Sequence, residues 1–269
     1  MFCRAGLHYA NRDGALVGAA VDVDIHDGRT AHLPGWRACG FELVDHSSSV
    51  GDWSDDDEIA DVHYGEAEEL ARRLTGCDVA LVSDHVRRSA ETARQQREQT
   101  PVRLVHSDFA ANYQDVARHA YDEVHGRGAA TLQRVRISAG DIQRARRVVM
   151  LQLWRNVGPP RMDLPLAFCD ARTVTPAETR PFPYTGYVAG GRSFDALAVV
   201  EPPADRRHGW YTFPEMSPDE VVAFRTYDTD LVADGRTWFT PHSAFRDPDV
   251  ALGEPARRSV ELRVMCLDL

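Results

Sequence analysis

Lysine is missing from this chain. All 31 basic residues are Arg, and they face 41 acidic residues for a formal net charge of −10. A lysine-free sequence rich in Ala, Arg, Asp and Val reflects a GC-rich genome, which is a codon effect and not a functional one. The acidic balance leaves no basic stripe to displace counterions, so neither nucleic acid nor an anionic membrane is an expected partner. No run of about 18 apolar residues occurs, so no membrane span is expected. The opening stretch MFCRAGLHYANRDG has no apolar segment behind a basic head, and no signal peptide is expected. Cysteine is scarce: Cys3, Cys39, Cys77, Cys169 and Cys266 are scattered, odd in number and contain no Cys-x-x-Cys pair. That pattern predicts reduced, mostly buried thiols and a soluble, cytoplasmic protein.

The chain has 269 residues, of which 43% are hydrophobic, enough for a core. No internal repeat or linker interrupts it, and a single domain over 1–269 is expected. VDVDI (21–25) and TAHL (30–33) flank His26-Asp27-Gly28-Arg29 as a hairpin would. Residues 40–46 read as a strand, and 47–59 as a polar loop with a solvated acidic run. Apolar spacing at Ala67, Leu70, Ala71 and Leu74 predicts a helix over 64–74, stopped by Gly76. A strand follows at 78–82. Residues 115–127 read as helical, Ser138 as the cap of another helix, and VVMLQLWRNV (148–157) as the strongest strand. Ser217-Pro218-Asp219-Glu220 predicts a capped helix; AFRTYD and SVELRVMCL read as strands. Many short strands with a few helices predict a mainly β protein with added helices, a sandwich or jelly roll.

His106-x-Asp108, in RLVHSDFAANY (103–113), raises the question of chemistry. With 11 His and 41 acidic residues, one or two His-x-acid triplets are expected by chance, and this is the only one. A non-haem iron site needs a second His and leaves positions open for co-substrate and oxygen. In a jelly roll that His comes from a later strand across the barrel. His119 and His125 share a presumed helix but fall on different faces. His208 sits beside a charged turn. His242, in an apolar strand-like stretch, suits the role best. A 2-oxoglutarate co-substrate also needs a fixed cation for its far carboxylate, which Arg supplies with paired hydrogen bonds. Of Arg87-x-Ser89, Arg136-x-Ser138 and Arg257-x-Ser259, only the last follows His242, fifteen residues on.

Three runs, 151–174, 208–228 and 242–264, resemble the CmcJ/NvfI family of Fe(II)/2-oxoglutarate-dependent oxygenases, with looser similarity in HYGEAEEL and DHVRRS. The resemblance spans roughly residues 40–265. It implies a double-stranded β-helix (a cupin-like jelly roll), Fe(II) on His106, Asp108 and His242, and 2-oxoglutarate on Arg257 with Ser259 assisting. It also implies O2 as oxidant and C–H abstraction on a small molecule, natural-product or amino-acid-derived, ending in hydroxylation, desaturation or cyclisation. Phe109, Tyr113, Trp154 and Arg155 are candidate substrate neighbours. Gln152 and Asn156 depart from the family pattern and are expected away from the ligands. Some family members carry a methyltransferase label, which the sequence does not support: Gly190-Gly191 alone is no cofactor-cradling loop. Two other readings stand beside the oxygenase. One is a non-catalytic ligand-binding jelly roll, expected to lack a ligand or the Arg. The other is a zinc hydrolase on the same ligands, which has no use for Arg257. A homodimer stays among the assemblies the sequence allows.

Overall fold

The computed structural model describes residues 1–12, 16–95, 100–122, 127–184 and 194–269. His125 and Gly190-Gly191, raised above, lie outside the described residues.

Thirteen strands are described: β1 (Cys3–His8), β2 (Ala20–Asp27), β3 (Phe41–Asp45), β4 (Val79–Arg88), β5 (His106–Ser107), β6 (Arg147–Asn156), β7 (Leu166–Cys169), β8 (Thr179–Tyr184), β9 (Phe194–Val199), β10 (Trp210–Thr212), β11 (Glu220–Asp228), β12 (His242–Ala244) and β13 (Ser259–Asp268). They form two sheets, one ordered β1-β2-β10-β7-β12-β5-β9-β8 and the other β3-β11-β6-β13-β4. Strand neighbours remote in sequence, such as β12 beside both β7 and β5, produce the jelly-roll weave.

The central strand β6 explains how the layers stack. It is buried along nine of its ten residues, because each face meets a different layer. Val149, Leu151 and Leu153 join Ala67, Leu70 and Ala71 of the helix Tyr64–Thr75 in one core. Val148 and Met150, on the opposite face, join Leu7, Ile25, Ala167 and Trp210 of the larger sheet in another. Period-two alternation therefore gives β6 a helix-facing and a sheet-facing side. β13 divides the same way: Val260, Leu262 and Val264 face the helix layer, while Met265 and Leu267 face the larger sheet.

The helix Tyr64–Thr75 ends as expected. Gly76 is left-handed at φ 78°, and its N–H donates to the Arg72 carbonyl at 2.8 Å. The Ser138 cap is also present, as a reciprocal capping box with Asp141. All five thiols are free and buried.

Three expectations are corrected. The hairpin across 26–29 does not form: β2 pairs antiparallel with β1 and parallel with β10, and 30–33 is not a strand. Arg29 instead reaches Glu220 with two bonds of 2.7 Å. The helix after Ser217 does not form either. Glu220 does accept from the Ser217 N–H at 2.8 Å, but the chain goes straight into β11, whose Val221–Phe224 pair with β3. Burial of four apolar side chains in a sheet overrides a local capping signal. Finally, the stretch read as a polar loop at 47–59 contains a helical turn, although its acidic run at 55–58 lies largely exposed, as expected. Asp55 caps a helical turn over Asp56–Glu58, Asp56 pairs with Arg87 and His85, and Glu58 accepts from Gly51 and Asp52.

At Gly76 a Cβ meets nothing within 4 Å, so strain there is purely conformational. Gly76→Ala should cost about 1–2 kcal/mol, the penalty of a left-handed L-residue, read as a lower urea midpoint at unchanged slope.

Candidate metal centre between the two sheets

β5 and β12 are antiparallel neighbours, and His106 and His242 are directly paired Cα partners. Two residues beyond His106, Asp108 returns to the same face. One ligand atom from each of the three lies within 4.8 Å of the others, a grouping able to hold a metal ion. The imidazole centroids stand 4.4 Å apart. His106 Nδ1 donates to the Leu104 carbonyl at 2.8 Å, and His242 Nδ1 to the Thr240 carbonyl at 3.1 Å. With the proton committed there, each Nε2 presents a bare lone pair. These atoms lie 3.6 and 3.8 Å from Asp108 Oδ1, beyond hydrogen-bond reach.

The electrostatics agree. Burial, then the adjacent His242, pushes His106 down to about 4; burial also lowers His242. Both rings are neutral at pH 7. Burial opposes ionisation of Asp108, but Arg263, with the two His and a bond from Gln152, outweighs it and holds the carboxyl well below its usual range. Two nitrogen lone pairs and a carboxylate oxygen thus converge with no proton among them. A cation offsets that repulsion, and nitrogen–oxygen donors with backbone-anchored Nδ1 groups suit a first-row divalent metal.

The smaller sheet supplies the opposite wall. Arg257 is 4% exposed, with Nε on Ser259 Oγ at 2.9 Å and one Nη on the Leu164 carbonyl at 3.4 Å. Its guanidinium lies 5.2 Å from the Trp154 ring centre. Burial, then Arg88, lowers it to about 9, which leaves it cationic at neutral pH. Among the described residues it has no carboxylate partner within ion-pair distance. Arg257 and the triad line one cavity of about 150 Å3, bounded also by Leu104, Leu166, Phe182, Tyr184 and Phe194.

The candidate substrate neighbours fare differently. Phe109 and Tyr113 stack at 3.9 Å and pack on Phe194, but both are buried behind the cavity wall. Trp154 faces the smaller sheet's inner side and supports Arg257 from behind. Arg155 does not approach the cavity. As the odd-numbered neighbour on β6 it points to the helix side, where its guanidinium donates to the His46 and Pro218 carbonyls and lies over Trp53. His119 bonds its own helix at Asp115, and His208 is held by Tyr9 and Glu178, both away from the triad.

One expectation about a departure from the family pattern is overturned. Gln152 touches a ligand: its Nε2 donates to Asp108 Oδ2 at 2.6 Å. Arg263 does the same through Nε at 3.0 Å, and its Nη2 makes an ion-pair contact with the same oxygen at 3.0 Å. Arg263 and Glu261 were missed as site residues, although the signal was present. If Arg257 and Ser259 face inward, period two puts Glu261 and Arg263 on the same side.

The family model described as an oxidoreductase/YMDC permease-like domain matches residues 8–267. A hydroxylase/desaturase of Cercospora beticola is 30% identical over 241 residues, covering 83% of this chain and 69% of the relative. Another, of Hormonema carpetanum, is 30% identical over 239 residues, covering 84% and 76%. An Fe(II)/2-oxoglutarate-dependent dioxygenase of Aspergillus novofumigatus, NvfI, is 26% identical over 204 residues, covering 76% and 65%. A solved structure of the iron and alpha-ketoglutarate-dependent endoperoxidase NvfI matches with TM-score 0.75 at 21% identity, covering 99% of this chain and 98% of the other. That match establishes the cupin-like jelly-roll fold. The chain belongs to the oxidoreductase family of these fungal hydroxylase/desaturases and dioxygenases, and the family match extends further toward the N-terminus than the sequence resemblance did. Among the described residues, no helix is long and apolar enough to cross a membrane.

Buried His106 and His63, each lowered from 6.5 to about 4 chiefly by desolvation, make metal-free stability pH-dependent. The unfolded chain binds more protons between pH 6.5 and 4. Their contribution is therefore complete above about 6.5 and is lost as pH falls toward 4. Denaturation in chelator should show a loss on the order of a few kcal/mol from pH 7 to 4.5, and His63→Gln should flatten that slope.

Proposed function

We propose that this chain is an Fe(II)/2-oxoglutarate-dependent oxygenase acting on a small molecule, with His106, Asp108 and His242 as iron ligands. The observation that carries this reading is the pairing of a proton-free His-Asp-His cluster with a buried Arg257 that, among the described residues, has no carboxylate within ion-pair distance, in one cavity. A hydrolytic metal site has no use for that arginine. A decayed binding protein has no reason to keep every ligand. Family membership supports the same activity.

Iron, when bound, supplies oxidative decarboxylation of the co-substrate by O2 and the oxidising power for C–H abstraction. The protein's own residues do the rest. Arg257, steadied by Ser259 and the Trp154 face, receives the far carboxylate of 2-oxoglutarate. Leu104, Leu166, Phe182, Tyr184 and Phe194 give the cavity an apolar side that excludes water and suits a largely non-polar substrate carbon skeleton. Phe109 and Tyr113 shape that side through Phe194 and not by contact. Hydroxylation and desaturation share the first C–H step, and the hydroxylase/desaturase relatives favour these outcomes. The two sheets share one core and one site, which supports a single domain over 1–269, and five reduced thiols support a cytoplasmic location.

Anaerobic addition of Fe(II) and 2-oxoglutarate should give a visible charge-transfer band that requires both. No band and no 2-oxoglutarate binding would overturn the proposal. His242→Ala should abolish the band. Arg257→Gln should keep iron but weaken 2-oxoglutarate by about 2–5 kcal/mol, upwards of roughly thirtyfold in affinity.

A further inference from the structure

We infer that Gln152 and Arg263 clamp Asp108 so that it binds the metal through one oxygen only, keeping a coordination position open for a diatomic co-substrate. The inference rests on the iron/2-oxoglutarate reading. Its basis is the unequal environment of the two carboxylate oxygens. Among the described residues, Oδ1 faces the two imidazole nitrogens, at 3.6 and 3.8 Å, and accepts no hydrogen bond. Oδ2 accepts two hydrogen bonds, from Gln152 Nε2 at 2.6 Å and from Arg263 Nε at 3.0 Å, with Arg263 Nη2 also at ion-pair distance, 3.0 Å. Two donors and an adjacent guanidinium occupy the two lone pairs of that oxygen.

The clamp is built into the sheet. Gln152 on β6 and Arg263 on β13 are direct Cα partners, both on the inner face. Gln152 is fully buried and also reaches Thr226 Oγ1 at 3.4 Å. Arg263 lies 3.8 Å from Glu261, two residues earlier on the same face. Neither donor can swing toward the metal without leaving these partners.

The consequence is a matter of counting. A carboxylate with two free oxygens can chelate, as carboxylates do for several metals. Two His and a one-oxygen Asp leave three of six octahedral positions. A chelating co-substrate takes two, and one remains. A two-oxygen Asp108 would fill it. Arg263 also offsets the Asp108 charge, leaving the centre more attractive to a dianionic co-substrate. Gln152 and Arg263 are thus positioning residues, acting through Asp108.

The test titrates wild-type protein and the Gln152→Leu/Arg263→Met double variant anaerobically with Fe(II), then 2-oxoglutarate, then nitric oxide as a dioxygen surrogate. The nitrosyl is read by electron paramagnetic resonance. The variant should bind Fe(II) at least as tightly as wild type, because Asp108 regains its full charge and second oxygen. Its nitric oxide affinity should fall on the order of 10–100-fold. Unchanged nitric oxide affinity would overturn the clamp, and so would Fe(II) and nitric oxide affinities falling together, the mark of general damage. A wild-type protein without the charge-transfer band would instead overturn the functional reading beneath it. If the double variant does not fold, Arg263→Met alone decides by the same split between Fe(II) and nitric oxide.

Discussion

Asp108 presents one oxygen to each sheet, and the geometry of the site depends on that division. Oδ1 faces the two histidines of the larger sheet; Oδ2 is bound by Gln152 and Arg263 of the smaller one. The carboxylate is nearly buried, where an unpaired charge would be costly and a partnered one is held in place. The same contacts that make its burial tolerable therefore fix its orientation. Sliding one sheet across the other would break bonds at Oδ2 and misplace Oδ1 together.

The histidines are constrained by a different device. Each Nδ1 is tied to a carbonyl two residues earlier, Leu104 for His106 and Thr240 for His242. A local bond of this kind needs no distant partner, so it sets the tautomer as soon as the strand end forms. Cross-strand pairing of His106 with His242 then places both rings on one face. The backbone fixes the protonation state and the sheet fixes the spacing. The two functions are separable, which lets two- and three-residue strands carry a defined centre.

The order of His106-x-Asp108, His242 and Arg257-x-Ser259 made these residues legible in the sequence, because each belongs to a short motif at a strand end. The helix Tyr64–Thr75 was legible from its apolar spacing, β6 and β13 from their strand-like runs, and β11 in its second half, AFRTYD. What escaped was pairwise and long-range. Gln152 and Asp108 are 44 residues apart, and nothing near Gln152 announces that its amide ends on a carboxylate. Trp154 and Arg155 were both candidate substrate neighbours, yet adjacent strand residues point to opposite faces. The Ser217 signal failed because a local cap competes weakly with burial of β11 between β3 and β6.

Charge placement explains how so polar a cavity survives inside an apolar fold. Among the described residues Arg257 has no carboxylate within ion-pair distance, and its burial makes that charge costly to leave unpaired. Stacking on Trp154 and the bond to Ser259 satisfy its plane and one donor, leaving the outer donors facing the cavity. Asp108, by contrast, is balanced internally by Arg263. The protein pairs the Asp108 carboxylate internally, while among the described residues Arg257 has no carboxylate within ion-pair distance, as the proposed co-substrate role would require. The site is therefore asymmetric: Asp108 held beside two bare nitrogens at one end, and Arg257, with no carboxylate within ion-pair distance among the described residues, lining the same cavity. Under the proposed function, a molecule with a chelating head and a distant carboxylate would answer both ends at once, with the buried Arg257 and the less buried Arg263 in opposite roles.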